Sequence, residues 1–141
     1  MGCELTMGDN VFEKLSLSKI ELLSLNASQN DLVKELNKKR FQLRLFIDTE
    51  LDLDAEEWLV YICTIDLSFE EIGPFGLSIR LKAWFKKNGQ VDWDRAQRSL
   101  DELSQPVFAE ASRLIANICN AMKIPPIVLS PREMVGISKR Q

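Results

Sequence analysis

Three stretches of the chain place their apolar side chains on one parity. In the first, the odd positions are Phe41, Leu43, Leu45, Ile47, Leu51 and Leu53, with Thr49 the exception. In the second they are Leu59, Tyr61, Cys63, Ile65, Leu67 and Phe69, and in the third Phe75, Leu77, Ile79, Leu81, Ala83 and Phe85. Successive side chains of a strand point to opposite faces, so this alternation specifies strands with one apolar face. Asp54-Ala55-Glu56-Glu57 and Glu70-Glu71-Ile72-Gly73-Pro74 supply the connecting turns of an antiparallel meander. The shared parity also sets a register, with apolar rows Ile47–Ile65–Ile79, Leu51–Tyr61–Ala83 and Leu53–Leu59–Phe85. A sheet this one-sided requires a cover.

The cover comes next in the chain. Asn88-Gly89 closes the sheet and Asp92 or Asp94 can cap a helix. Trp93, Ala96, Leu100 and Leu103 recur at helical spacing, and Pro106 opens a second helix striped by Val107, Ala111, Leu114, Ile115, Ile118 and Met122. Pro125-Pro126 ends it, and Ile127, Val128 and Leu129 form an extended apolar segment. Upstream, residues 11–27 read as a further strand. Leu15 and Leu17 share one parity, Ile20 and Leu22 the other, and Leu23 and Leu25 the first again, which implies bulges or a break. Residues 29–39 read as a crossover with Leu32, Val33 and Leu36 at helical spacing, and Asn26-Ala27-Ser28 as a turn. The expected fold is α+β: a four-stranded antiparallel sheet followed by two helices packed on one face. Residues 1–10 are expected to be disordered, 11–131 to form a single domain, and 132–141 a flexible basic tail.

Composition narrows the function. The chain has 141 residues and no histidine, which removes Ser-His-Asp and Cys-His catalysis and the usual mixed zinc site. No catalytic residue, metal or cofactor is indicated, and the expected class is not an enzyme. A net charge of −3 gives no basic field for nucleic acid. Cys3, Cys63 and Cys119 are far apart with no CxxC pair, as reduced structural thiols are. With neither a signal-like nor a membrane-spanning apolar run, the chain reads as cytoplasmic, without membrane insertion.

The even positions form the second face of the sheet. Val60, Ile62 and Trp84 are apolar there, flanked by acidic Asp48, Glu50 and Asp52 on one side and basic Arg80, Lys82 and Lys86 on the other. A strand apolar on both parities is more often buried on both sides. Val60, Ile62 and Trp84 are therefore candidate subunit-interface residues.

The segment from Leu103-Ser104-Gln105-Pro106-Val107-Phe108 to Ile124-Pro125-Pro126-Ile127-Val128-Leu129-Ser130-Pro131 resembles the end of the SecB export chaperones. Phe108, Ala111 and Ile115 match their last helix, and Ile124, Pro125, Ile127, Leu129 and Pro131 the segment after it. Phe75 to Gly89 aligns without gaps, through Trp84-Phe85. The resemblance implies four antiparallel strands and two helices, and an ATP-independent holdase that binds non-native polypeptide in apolar grooves between sheet, crossover and last helix. The candidate peptide-binding residues are Leu15, Leu25, Leu32, Val33, Leu36, Ile124, Ile127 and Leu129. Members assemble as dimers of dimers, so a homodimer or homotetramer is expected, with Leu100 of the first helix also at an interface. Departures stand at Met122, where a glycine is expected, and at Arg132-Glu133-Met134. Ser78 and Gly76 replace an acidic residue and a leucine used to dock the SecA motor, and no zinc-binding tail is present. These departures put SecA handover in question and suit a solitary relative, such as the SecB-like chaperones that protect an antitoxin. Two other classes remain open: an adaptor for one dedicated protein partner, and a carrier of a small ligand or lipid.

Overall fold

The computed structural model describes residues 14–35, 43–52, 57–69, 73–125 and 127–139. Four strands, β1 (Leu15–Gln29), β2 (Leu43–Asp52), β3 (Trp58–Phe69) and β4 (Phe75–Lys87), form one antiparallel sheet in the order β1-β4-β3-β2. A 3₁₀ turn, Asp31–Glu35, begins the connection that carries the chain from one sheet edge to the other. Helices α1 (Trp93–Arg98), α2 (Leu100–Met122) and α3 (Pro131–Lys139) complete the fold.

The register is the one that the shared parity requires. Ile47, Ile65 and Ile79 form one row, and Leu51, Tyr61 and Ala83 another, while Leu59 pairs with Phe85. Leu53 lies outside the described residues. β1 breaks its pairing with β4 twice, between Leu17 and Lys19 and between Leu22 and Ser24. Each bulge inserts one residue and flips the parity of every residue after it. As a result Leu17, Ile20, Leu22, Leu25 and Ala27 all pair with odd residues of β4, respectively Phe85, Ala83, Leu81, Ile79 and Leu77. The two shifts bring the irregular apolar residues of β1 onto one face. Asn26-Ala27-Ser28, read from sequence as a turn, lies within this paired strand.

Odd residues of β3 and β4 make the core floor, with Leu59, Tyr61, Cys63, Ile65, Ile79, Ala83 and Phe85 fully buried. Leu103, Val107, Phe108, Ala111, Ile115 and Cys119 of α2 close over them. Asp92 caps α1 by accepting from Arg95 N–H at 2.7 Å. The helix break falls at Ser99, whose N–H is shared between Arg95 and Ala96 carbonyls at 3.1 and 3.2 Å. Pro106 sits inside α2 instead of opening it. The α2 stripe is continuous through the proline, so burial holds the helix across the missing N–H.

Residues 132–141, assigned from sequence to a flexible tail, supply most of α3. Glu133 N–H donates to Ser130 Oγ at 3.1 Å, and Ser130 N–H donates to Glu133 Oε1 at 3.3 Å. With Pro131 at the first helical position this is a capping box. The helix buries Met134 completely and packs on α2 and β2. Lys139 forms an ion pair with Asp101 of α2.

Candidate functional site

Of the helix layer, α2 lies nearest β4 and β1, and α3 packs on β2. Leu129 is tied to α2 by Ser112 Oγ, which donates to its carbonyl at 2.6 Å, and α3 continues along that flank to the Lys139–Asp101 pair. Leu114 is two residues from Ser112, hence on the opposite side of α2 at about 100° per residue. That second flank looks toward β1, and no described element covers the β1 face beyond it. Leu17 is 37%, Leu22 49% and Leu25 37% exposed, although their row partners Phe85, Leu81 and Ile79 are at most 1% exposed. The apolar floor therefore continues onto β1, where the helices cover it incompletely. Ile20, in the same column, is half-buried, and the bulge residue Leu23 is exposed.

The structure divides the peptide-binding residues inferred from sequence. Leu25 belongs to this open column. Leu15 and Ile124 are core residues, at 0% and 7% exposure, and are not available to a ligand. Leu15 opens β1 opposite Lys87 at the end of β4 and joins the core cluster there. Ile124 comes after Lys123, whose left-handed conformation (φ 58°) folds the chain back so that Ile124 N–H reaches the Cys119 carbonyl at 3.1 Å. Ile127 and Leu129 are half-buried against the core in the segment bound to the Ser112 flank, away from β1. Leu32 is half-buried just past β1, where its N–H bonds Asn30 Oδ1 at 2.8 Å. Asn30 Nδ2 donates in turn to the Gly73 carbonyl at 2.8 Å, pinning the start of the crossover to the β3–β4 connection. The Val33 side chain and Leu36 lie outside the described residues. Leu17 and Leu22 join the site, and sequence parity alone obscured them because the bulges had to be placed first.

The opposite face carries Val60, Ile62 and Trp84 together. Trp84 meets Trp58 edge to face at 5.9 Å, and Lys82 and Lys19 lie over the Trp84 ring at 4.3 and 5.2 Å. Lys86 lies over Trp58 at 5.1 Å. Lys19 bonds Glu21 and Lys86 bonds Glu57, each at 2.9 Å, and these ammonium groups hold both carboxyls below the usual range. Leu100 is not part of this surface: it sits in the first turn of α2, half-buried against the core on the other side of the sheet.

Two titratable side chains lie buried beneath the helices. Burial pushes the Cys63 thiol up to about 12, with the Asp48 charge adding to the effect, so the thiolate is scarce near neutral pH. Burial likewise raises Tyr61, whose hydroxyl is engaged with Ser104 at 2.6 Å.

No family model and no curated protein matches the sequence. The fold is matched by solved structures. One is the Mycobacterium tuberculosis Rv1957 SecB-like chaperone in complex with a ChAD peptide from the Rv1956 HigA1 antitoxin. Its TM-score is 0.69 at 13% identity, over 89% of this chain and 92% of that one. Another is a protein of unknown function from Streptococcus agalactiae, with TM-score 0.54 at 12% identity, over 83% of this chain and 97% of the other. The chain thus has the SecB-like fold.

Proposed function

We propose that this protein is a non-enzymatic, ATP-independent holdase that captures extended apolar polypeptide on the open face of β1. The observation that carries the proposal is the column Leu17, Leu22 and Leu25, which shares the core face of the sheet yet is 37–49% exposed. Such a surface leaves apolar area open to solvent, and contiguous exposed apolar patches mark binding sites. Sharing its fold with a chaperone that binds an antitoxin peptide supports a polypeptide as the occupant. An extended segment fits a strip of strand better than a globular ligand does, because alternate side chains can track the rows.

The test is suppression of aggregation. The protein, added near stoichiometry to a refolding client, should reduce light scattering, and no effect across several clients sinks the proposal. The bound antitoxin peptide of the neighbour favours a second reading, an adaptor dedicated to one protein. Pull-down from native cells separates the two: many clients for the holdase, one stoichiometric partner for the adaptor. A small-ligand or lipid carrier is a third reading, which a ligand co-purified in native mass spectrometry would favour. Nothing supports SecA handover, since Gly76 and Ser78 occupy the docking positions.

A further inference from the structure

The two bulges of β1 decide which side chains stand in its open column. Without them, every second residue after Leu17 would put Lys19 and Glu21 on the core face. The insertions at Ser18 and Leu23 prevent this. Lys19 pairs with Trp84 and Glu21 with Lys82, on the face away from the helices. Leu17, Ile20, Leu22 and Leu25 instead stand opposite Phe85, Ala83, Leu81 and Ile79, which are successive odd residues of β4. The column is thus one large apolar side chain per row over four consecutive rows. Ala27, opposite Leu77, ends it with a small one.

This arrangement sets a spacing. Rows on one face are two residues apart along β4, or about 6.8 Å in an antiparallel strand. Four rows therefore span three steps, about 20 Å. An extended chain laid along the column presents alternate side chains at the same interval, so residues i, i+2, i+4 and i+6 meet the four rows together. A helix offers one apolar contact per turn of about 5.4 Å, and after three turns it lags by about 4 Å. That lag exceeds half a row spacing. A contiguous apolar run in an extended segment fares no better, because every second side chain turns away from the column.

We infer, taking capture on this column as given, that it selects client segments with apolar side chains at alternate positions over seven residues. The occupant is an amphipathic strand segment of a non-native protein. Its intervening side chains point away from the sheet, so charged residues are accepted there. Segments of the same composition in helical or contiguous order are discriminated against. Selection of this kind covers the apolar parity of strands that are otherwise open to pairing with other chains.

Fluorescence-anisotropy titration of the full chain with three labelled octapeptide isomers tests the inference. Each has four leucines and four lysines, with the leucines at every second position, in the i, i+3, i+4, i+7 order, or in one central block. Extended, the second and third isomers seat only two leucines on the rows, so the alternating isomer should bind at least about tenfold tighter than either. Removing its last leucine-lysine pair vacates one row and should weaken it several-fold. The preference should disappear in Leu22→Asp/Leu25→Asp, which ties it to this column. Equal affinity for the three isomers, or a preference that survives in the variant, would overturn the inference while leaving capture standing. No binding of any isomer to the parent would overturn the capture reading and the inference together.

Discussion

Tyr61 Oη and Ser104 Oγ lie 2.6 Å apart in the buried layer between β3 and α2, and Ser104 Oγ is also 2.8 Å from the Leu100 carbonyl. Ser104 has one hydroxyl proton, which goes to the carbonyl, so Tyr61 is the donor to Ser104. Ser104→Ala strands the Tyr61 O–H without an acceptor and should cost about 1–3 kcal/mol, whereas Tyr61→Phe leaves the Ser104 proton satisfied and should cost about 1 kcal/mol. The double variant should resemble Tyr61→Phe. Urea unfolding of the three variants checks the order.

Lys123 adopts φ 58° at the end of α2, where Ile124 N–H closes the helix onto Cys119. A non-glycine residue in this region is strained by roughly 1–2 kcal/mol, partly offset by the larger chain entropy of glycine. Lys123→Gly should therefore raise stability by about 0.5–1 kcal/mol, visible as a higher urea midpoint at unchanged slope.

Removing α3 should be costly. Truncation after Ser130 uncovers the core around Met134, so the shortened chain should unfold at much lower urea. Met134→Ala alone should cost about 2–5 kcal/mol and Ser130→Ala about 1 kcal/mol. A truncation without effect would restore the tail reading.

Acid should weaken the fold through exposed ion pairs. Lys19, Lys86 and Arg113 hold Glu21, Glu57 and Glu110 below the ordinary value of 4.5. A depressed carboxyl contributes stability that is present above 4.5 and lost as pH falls through the lowered value. Lys139, raised above 10.5 by Asp101, contributes below that pH and loses its share above it. The urea midpoint should be flat from above 4.5 to about 9, decline shallowly on the acid side, and fall more steeply above pH 9, where the unfolded chain releases the Cys63 proton that the native core holds.

The sheet was legible because strand periodicity and burial agree. One parity across three strands left a single register, and the β2–β3–β4 rows obey it. β1 was legible only as irregular, because two bulges redistribute its leucines and pairing partners are needed to place them. Helix α3 was missed despite its signal in Ser130-Pro131-Arg132-Glu133, where the Pro and basic residues masked a capping box. Leu15 and Ile124 looked marginal and are core, since their burial comes from strand pairing and a left-handed turn that composition does not reveal. Leu100 shared a helical stripe with Leu103 and went to the core side for that reason.

The most direct test of peptide capture is a fluorescence-anisotropy titration of a labelled, extended apolar peptide with the parent and a Leu22→Asp/Leu25→Asp variant. Both side chains are at least 37% exposed, so the variant should stay folded by circular dichroism. Capture on the β1 column requires saturable binding to the parent and at least about tenfold weaker binding to the variant, as expected for charges placed in an apolar site. Equal affinity in the two proteins, or no binding to the parent, would contradict it.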